Sequence, residues 1–137
     1  MNKINTKEFI IGYGRVKKVK IGKLNPLVFI GGPCAIESEK HSLMMASRIK
    51  KICEKLNIQY IFKSCFNKDS RSSPESFNGI GLKDGLNILQ TVREKIKVPV
   101  VSDFSDTSWA KPTGEVVDLL QIPAYLCRQT SILRAAA

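Results

Sequence analysis

Residues 27–38 read LVFIGGPCAIES and residues 58–73 read IQYIFKSCFNKDSRSS, with an amphipathic run between them. Leu27-Val28-Phe29-Ile30 is a short apolar run that stops at Gly31-Gly32-Pro33, the pattern of a buried strand. Ser38 is an N-cap residue, and from there to Leu56 the apolar positions Leu43, Met44, Ala46, Ile49, Ile52, Cys53 and Leu56 recur at helical spacing. Ile58 to Phe66 is then a second strand. Two strands separated by a helix cannot form a hairpin, so they pair in parallel through a crossover.

The same unit repeats. A loop rich in Ser, Asn, Pro and Gly covers residues 67–81, and Leu82 to Ile96 is helical with Leu86, Leu89, Val92 and Ile96 on one face. Val98 to Val101 is a third strand. Asp106 to Val116 is a helix started or interrupted by Pro112, Val117 to Ile122 is a fourth strand, and Gln129 to Ala137 begins another helix. Upstream, Phe9-Ile10-Ile11 and Val16 to Ile21 flank Gly12-Tyr13-Gly14 as a β-hairpin outside the parallel sheet. The expected organisation is a hairpin segment over residues 1–26 and four βα units over 27–137. A small doubly wound sheet of the flavodoxin type and the first half of a (β/α)8 barrel both fit this alternation.

Composition narrows the functional classes. The chain has 137 residues, 43% hydrophobic and 25% charged, which suits one globular domain. Its net charge of +10 attracts anions, yet the lysines are spread along the chain with no zinc-finger spacing, RNP-like motif or basic heptads, so nucleic acid is not the expected partner. No membrane-spanning run and no signal-peptide pattern are present in these residues, and Cys34, Cys53, Cys65 and Cys127 show no CxxC pairing. Free thiols in the cytoplasm are therefore expected.

In both candidate folds, ligands gather at the C-terminal ends of the strands. Lys63, Lys68 and Arg71 with Ser72 and Ser73 lie after the second strand, Asp103 ends the third, and Gln121 to Thr130, including Arg128, follows the fourth. Lysine point charges and two arginine forks make an anion site, suited to one or two phosphate groups.

These segments carry a family resemblance. GPCAIES (32–38) resembles the start of the metal-dependent class of 3-deoxy-D-manno-octulosonate 8-phosphate synthases, and is also similar to some 3-deoxy-D-arabino-heptulosonate 7-phosphate synthases. Residues 60–73 resemble the octulosonate family's FKSSFDKANRSS, and QIPAYLCRQT (121–130) resembles its QIPAFLCRQT, the more specific motif. The resemblance covers roughly residues 16–137. It implies a (β/α)8 barrel with an N-terminal hairpin. It implies condensation of phosphoenolpyruvate with D-arabinose 5-phosphate, for lipopolysaccharide biosynthesis, in a homotetramer. By the same resemblance, Lys63, Lys68, Gln121, Pro123 and Ala124 bind phosphoenolpyruvate, Arg71, Ser72 and Arg128 bind the sugar phosphate, and Asp103 joins Lys63 and Lys68 at the reacting centre. Cys34 matches the family's metal-binding cysteine, implying a divalent ion such as Fe or Zn in the intact enzyme. The family's other metal ligands, a histidine, a glutamate and an aspartate, come from later strands. Since a barrel takes about 250 residues, this chain is expected to be the first half of one, and inactive alone. Ser70, Pro74, Ser105 and Ser131 depart from the family pattern. The weighed alternatives are a heptulosonate-type fragment and a non-catalytic basic anion-binding module.

Overall fold

Ser38 sets where the first long helix begins. Its hydroxyl accepts the backbone N–H of His41, and α1 runs Glu39–Lys55 with Glu39 in the first turn and Lys55 in the last, as the helix dipole favours. A computed structural model describes residues 7–22, 24–73 and 75–137; Pro74 and the first six residues of the expected hairpin segment lie outside them. The order is β1 (Phe9–Ile11), β2 (Val19–Ile21), β3 (Val28–Gly31), α1, β4 (Gln59–Lys63), α2 (Leu82–Ile96), β5 (Val100–Asp103), α3 (Ala110–Gly114), β6 (Leu119–Gln121) and α4 (Thr130–Ala136). Single turns of 3-10 helix, Thr107–Trp109 and Ala124–Leu126, precede α3 and α4.

β3, β4, β5 and β6 form one sheet in that sequential order, every pairing parallel. The flavodoxin alternative requires the order 2-1-3, with a reversal at the switch point; no reversal occurs among these strands. Helices also cover only one face. Tyr60, Phe62 and Val100 point to that face and pack with Ala46 and Cys53 of α1, Leu86, Leu89 and Val92 of α2, Ala110 of α3 and Ile132 of α4. The alternate residues Val28, Ile61, Val101 and Leu119 point to the other face. There they meet not helices but Ile11, Val19 and Ile21 of the β1–β2 pair, whose strands run antiparallel with Phe9 opposite Ile21.

Two polar anchors hold that pair beneath the sheet. The Gln59 carboxamide accepts from the Lys20 N–H and donates to the Lys20 carbonyl, both at 2.7 Å. Asp118, just before β6, takes both Nε and a terminal nitrogen of Arg93 at 2.9 Å, and also accepts the backbone N–H groups of Tyr13 and Val100. Arg93 donates in turn to the Tyr13 carbonyl at 2.7 Å and lies 3.8 Å over the Tyr13 ring.

Prolines move two strand boundaries from their expected positions. The second strand was expected through Phe66 but ends at Lys63, because Pro33 on its neighbour has no N–H to give. Pairing resumes only as an isolated bridge between Ala35 and Cys65. The third strand starts two residues late, after Pro99, and extends through Ser102 and Asp103, which pair with Leu120 and Gln121. Pro112 sits in the first turn of α3, where its missing N–H has no helical partner.

Candidate active site at the strand C-termini

Alternation along each strand builds the site. On the face away from the helices, β4 presents Gln59, Ile61 and Lys63, β5 presents Val101 and Asp103, and β6 presents Leu119 and Gln121. The middle of this face is thus apolar, and its C-terminal end is polar. Asp103 lies directly opposite Gln121 in the ladder. The close approach of the strands here needs a glycine: a Cβ on Gly32 would stand 2.2 Å from the Lys63 carbonyl oxygen.

Lys63 is the centre of the cluster. Its Nζ donates to Cys65 Sγ at 3.0 Å and stands 3.8 Å from Asp103 Oδ1. Burial pulls the Lys63 pKa down, but the hydrogen bond to Cys65 and the nearby Cys65, Asp103 and Cys34 groups outweigh it, and the net shift is upward. Lys63 is therefore a fixed cation at neutral pH, suited to holding an anion and unsuited to acting as a neutral amine nucleophile. Burial pushes the Cys65 thiol up, Asp103 adds to this, and Lys63 opposes it with a smaller effect. At neutral pH the ammonium accordingly donates to a neutral sulfur, with the Asp103 side chain beside it.

Asp103 is 9% exposed, yet its Oδ1 has no hydrogen-bond donor among the described residues. A buried carboxylate oxygen in this condition is ready to accept from a hydroxyl or water brought into the site.

The other expected residues frame this centre. Lys68 is half-buried, its backbone N–H bonded to the Asn78 carbonyl at 2.7 Å. Pro123 is buried, and Ala124 is exposed at the start of its 3-10 turn. Arg71 is exposed and donates from Nε to the Phe77 carbonyl at 3.1 Å. Ser72 and Arg128 are exposed on the loops beyond the strand ends, and among the described residues no hydrogen bond or ion pair joins them or Arg71 to the Lys63 cluster. Lys63, Asp103 and Gln121 are thus brought together on one face, while the arginines stand apart on loops.

Cys34 is exposed at the end of β3, and among the described residues no three His, Cys, Asp or Glu side chains converge as a metal-binding group. A protein metal site takes three or four donors, so these residues do not by themselves form a metal centre.

Three participants escaped the reading of the sequence. Cys65 reads as a packing cysteine until its parity with Ile61 and Lys63 is counted. Asp69 accepts hydrogen bonds from Ser105 and, at 2.7 Å, from the Asn67 amide, tying the loop after β4 to the end of β5. Tyr125, in the 3-10 turn after β6, has its hydroxyl pKa raised by burial and then by Asp69, Asp103 and Cys65.

Residues 3–137 match the family model described as the DAHP synthetase I family. Among curated proteins, the chain is 55% identical over 119 residues to a 2-dehydro-3-deoxyphosphooctonate aldolase of Cyanothece sp., covering 87% of this chain and 44% of the relative. It is 50% identical over 119 residues to a protein of the same name from Desulfotalea psychrophila, covering 87% and 42%. With the one from Rickettsia rickettsii it shares 45% over 123 residues, covering 90% and 45%. The chain thus spans less than half the length of the curated relatives it matches.

Proposed function

The chain belongs to the DAHP synthetase I family, and on that premise we propose that it supplies the phosphoenolpyruvate-binding part of a 3-deoxy-D-manno-octulosonate 8-phosphate synthase. The observation that carries this reading is the Lys63–Asp103–Gln121 group at the C-terminal end of one sheet face. In this reading residues 1–26 are the N-terminal hairpin segment, whose β1–β2 pair lies under the sheet, and residues 27–137 are the first four units of a (β/α)8 barrel. Sequential strand order and helices on one face support the barrel.

Lys63 and Lys68 hold the carboxylate and phosphate of phosphoenolpyruvate as fixed cations, with Gln121, Pro123 and Ala124 lining the same pocket. Arg71 and Ser72 take the phosphate of D-arabinose 5-phosphate, and Arg128 reaches the sugar phosphate of a neighbouring subunit in a homotetramer. C3 of phosphoenolpyruvate forms a bond to the aldehyde carbon, whose oxygen gains a proton. Water adds at C2, and the C2–O bond to phosphate then breaks, giving the eight-carbon keto acid and inorganic phosphate. Oδ1 of Asp103, with the Lys63 ammonium near it at 3.8 Å, accepts a hydrogen bond from the sugar or the water during these steps. Cys34 offers one thiol to a divalent ion, Fe or Zn, whose other ligands these residues do not supply; the steps above use only side chains of this chain. The substrates and products are water-soluble, which fits the cytoplasm, and no described helix is long and apolar enough to cross a membrane.

Calorimetric titration of the chain with phosphoenolpyruvate tests the assignment. A charge-assisted hydrogen bond contributes about 1.5–3 kcal/mol, so Lys63→Ala is expected to weaken binding by roughly ten- to a hundredfold. Arg71→Ala should leave phosphoenolpyruvate binding unchanged and weaken arabinose 5-phosphate instead. Equal phosphoenolpyruvate affinity for the parent chain and Lys63→Ala would remove Lys63 from the site.

A further inference from the structure

Lys63 and Asp103 are neighbours that do not touch. The ammonium stands 3.8 Å from Asp103 Oδ1, beyond hydrogen-bonding distance, although the two side chains are only 23% and 12% exposed. An ammonium and a carboxylate oxygen left to pair close to about 2.7–2.9 Å. Here the ammonium donates instead to Cys65 Sγ at 3.0 Å. Among the described residues Asp103 Oδ1 accepts no hydrogen bond at all. A weak acceptor, the sulfur, has thus taken a donor that a strong acceptor stands ready to receive.

The backbone fixes the sulfur in that place. β4 ends at Lys63, and two residues later the Cys65 N–H donates to the Cys34 carbonyl at 3.2 Å. The Cys65 carbonyl accepts the Ile36 N–H at 2.9 Å, and the residue is fully buried. Burial raises the thiol pKa and Asp103 raises it further, so the sulfur keeps its proton at neutral pH. It therefore carries no charge of its own into the site.

We propose that Cys65 is a positioning residue, whose side chain holds the Lys63 ammonium off Asp103 and so keeps both groups free for the substrate. This deepens the reading of Lys63 as a phosphoenolpyruvate ligand and rests on it. An ammonium has three N–H donors. One goes to Cys65, and no other hydrogen bond of the Lys63 Nζ forms among the described residues. If the pair closed, the Asp103 carboxyl would occupy one of those donors, and the anionic end of phosphoenolpyruvate would have to displace it. With the thiol in place, the site presents a cation for the anion and, beside it, an unfilled acceptor for a hydroxyl or water. A thiol that merely fills space makes the opposite demand on substitutions: valine would then be tolerated best and serine worst, because a buried hydroxyl costs more than a methyl group.

Crystal structures of the variant chains, with calorimetric titration by phosphoenolpyruvate, read the outcome. In Cys65→Ala, Nζ is expected within about 3 Å of an Asp103 oxygen. Affinity for phosphoenolpyruvate should fall about tenfold, near the net worth of one hydrogen bond. Cys65→Ser keeps an acceptor at the same place, and should keep the open distance and an affinity close to that of the parent. Cys65→Val refills the buried volume without an acceptor; it should behave as alanine does, and it replaces alanine if that variant fails to fold. An open Lys63–Asp103 distance in the alanine and valine variants overturns the proposal. So does a serine variant that binds more weakly than either. A parent chain that does not bind phosphoenolpyruvate, or binds it equally after Lys63→Ala, removes Lys63 from the substrate site, while the distance in the Cys65 variants still decides whether the thiol is the spacer.

Discussion

Replacing Asp118 by alanine is expected to lower the unfolding free energy by about 3–5 kcal/mol, the cost of removing one partner from a buried ion pair. The Asp118 side chain is fully buried, and that of Arg93 is 13% exposed. Without the carboxylate, Arg93 keeps only the Tyr13 carbonyl and ring, and the Tyr13 and Val100 N–H groups lose their acceptor. One side chain thus joins α2, the start of β5, the start of β6 and the turn that carries the β1–β2 pair. Small domains hold only about 5–15 kcal/mol in all. Urea denaturation followed by circular dichroism should therefore show either a midpoint far below that of the parent or no cooperative transition. A change under 1 kcal/mol would mean that the Gln59–Lys20 hydrogen bonds and the apolar contacts hold the β1–β2 pair without Asp118.

The second large effect is expected at Gly85. This glycine lies in α2, where alanine is ordinarily about 1 kcal/mol more favourable. Here a Cβ would stand 2.1 Å from Phe66 Cβ and 3.1 Å from its Cα, and neither atom can rotate away. Phe66 is fully buried and meets Trp109 edge to face, ring centres 5.9 Å apart. Gly85→Ala should force α2 off the sheet and destabilise by about 3 kcal/mol or more, the upper end of overpacking costs. The shift would also disturb the loop after β4 that carries Lys68 and Arg71, since the Gly81 N–H bonds to the Phe66 carbonyl. Thermal melts of Gly85→Ala and of the exposed helical control Asn87→Ala separate the two contributions: the control should be neutral or slightly stabilised. A Gly85→Ala chain as stable as the parent would contradict the close packing.

Long amphipathic elements were legible from sequence because a helix repeats its signal. The spacing of Leu86, Leu89, Val92 and Ile96 gives α2 its observed bounds, and Ser38 marks the start of α1. Short strands between prolines were legible only to within two or three residues, since Pro33 and Pro99 act through the hydrogen bonds they withhold from a neighbour. The order of the strands was not legible from periodicity; only the family resemblance, through the barrel it implies, carried it. Crossover lengths are similar in wound sheets and barrels, and only the pairing of β3 with β4, and of each later strand with the one before it, separates the two.

The candidate site divides in the same way. Lys63 and Asp103 are conspicuous because charged residues at the ends of buried strands are rare. Cys65 is not conspicuous, because a buried thiol is ordinarily packing, and its contact with Lys63 follows from parity on a strand. Asp118 and Arg93 are 25 positions apart, with nothing in their local sequence to link them. Ser105 looked like a loss relative to the family pattern, yet it is tied to Asp69, another position where FNKDSRSS differs from FDKANRSS. The two differences meet in space, which no single-sequence reading of either position reveals.

The central claim, that these residues form the phosphoenolpyruvate-binding part of an octulosonate-type synthase, is tested most directly by transplantation. A chimera replaces the matched segment of the Cyanothece relative by this chain and is assayed with phosphoenolpyruvate and either D-arabinose 5-phosphate or D-erythrose 4-phosphate. The account predicts an eight-carbon keto acid phosphate from arabinose 5-phosphate, loss of that product with Lys63→Ala, and little turnover of erythrose 4-phosphate. A folded chimera that prefers erythrose 4-phosphate, or whose activity is indifferent to Lys63, would contradict it.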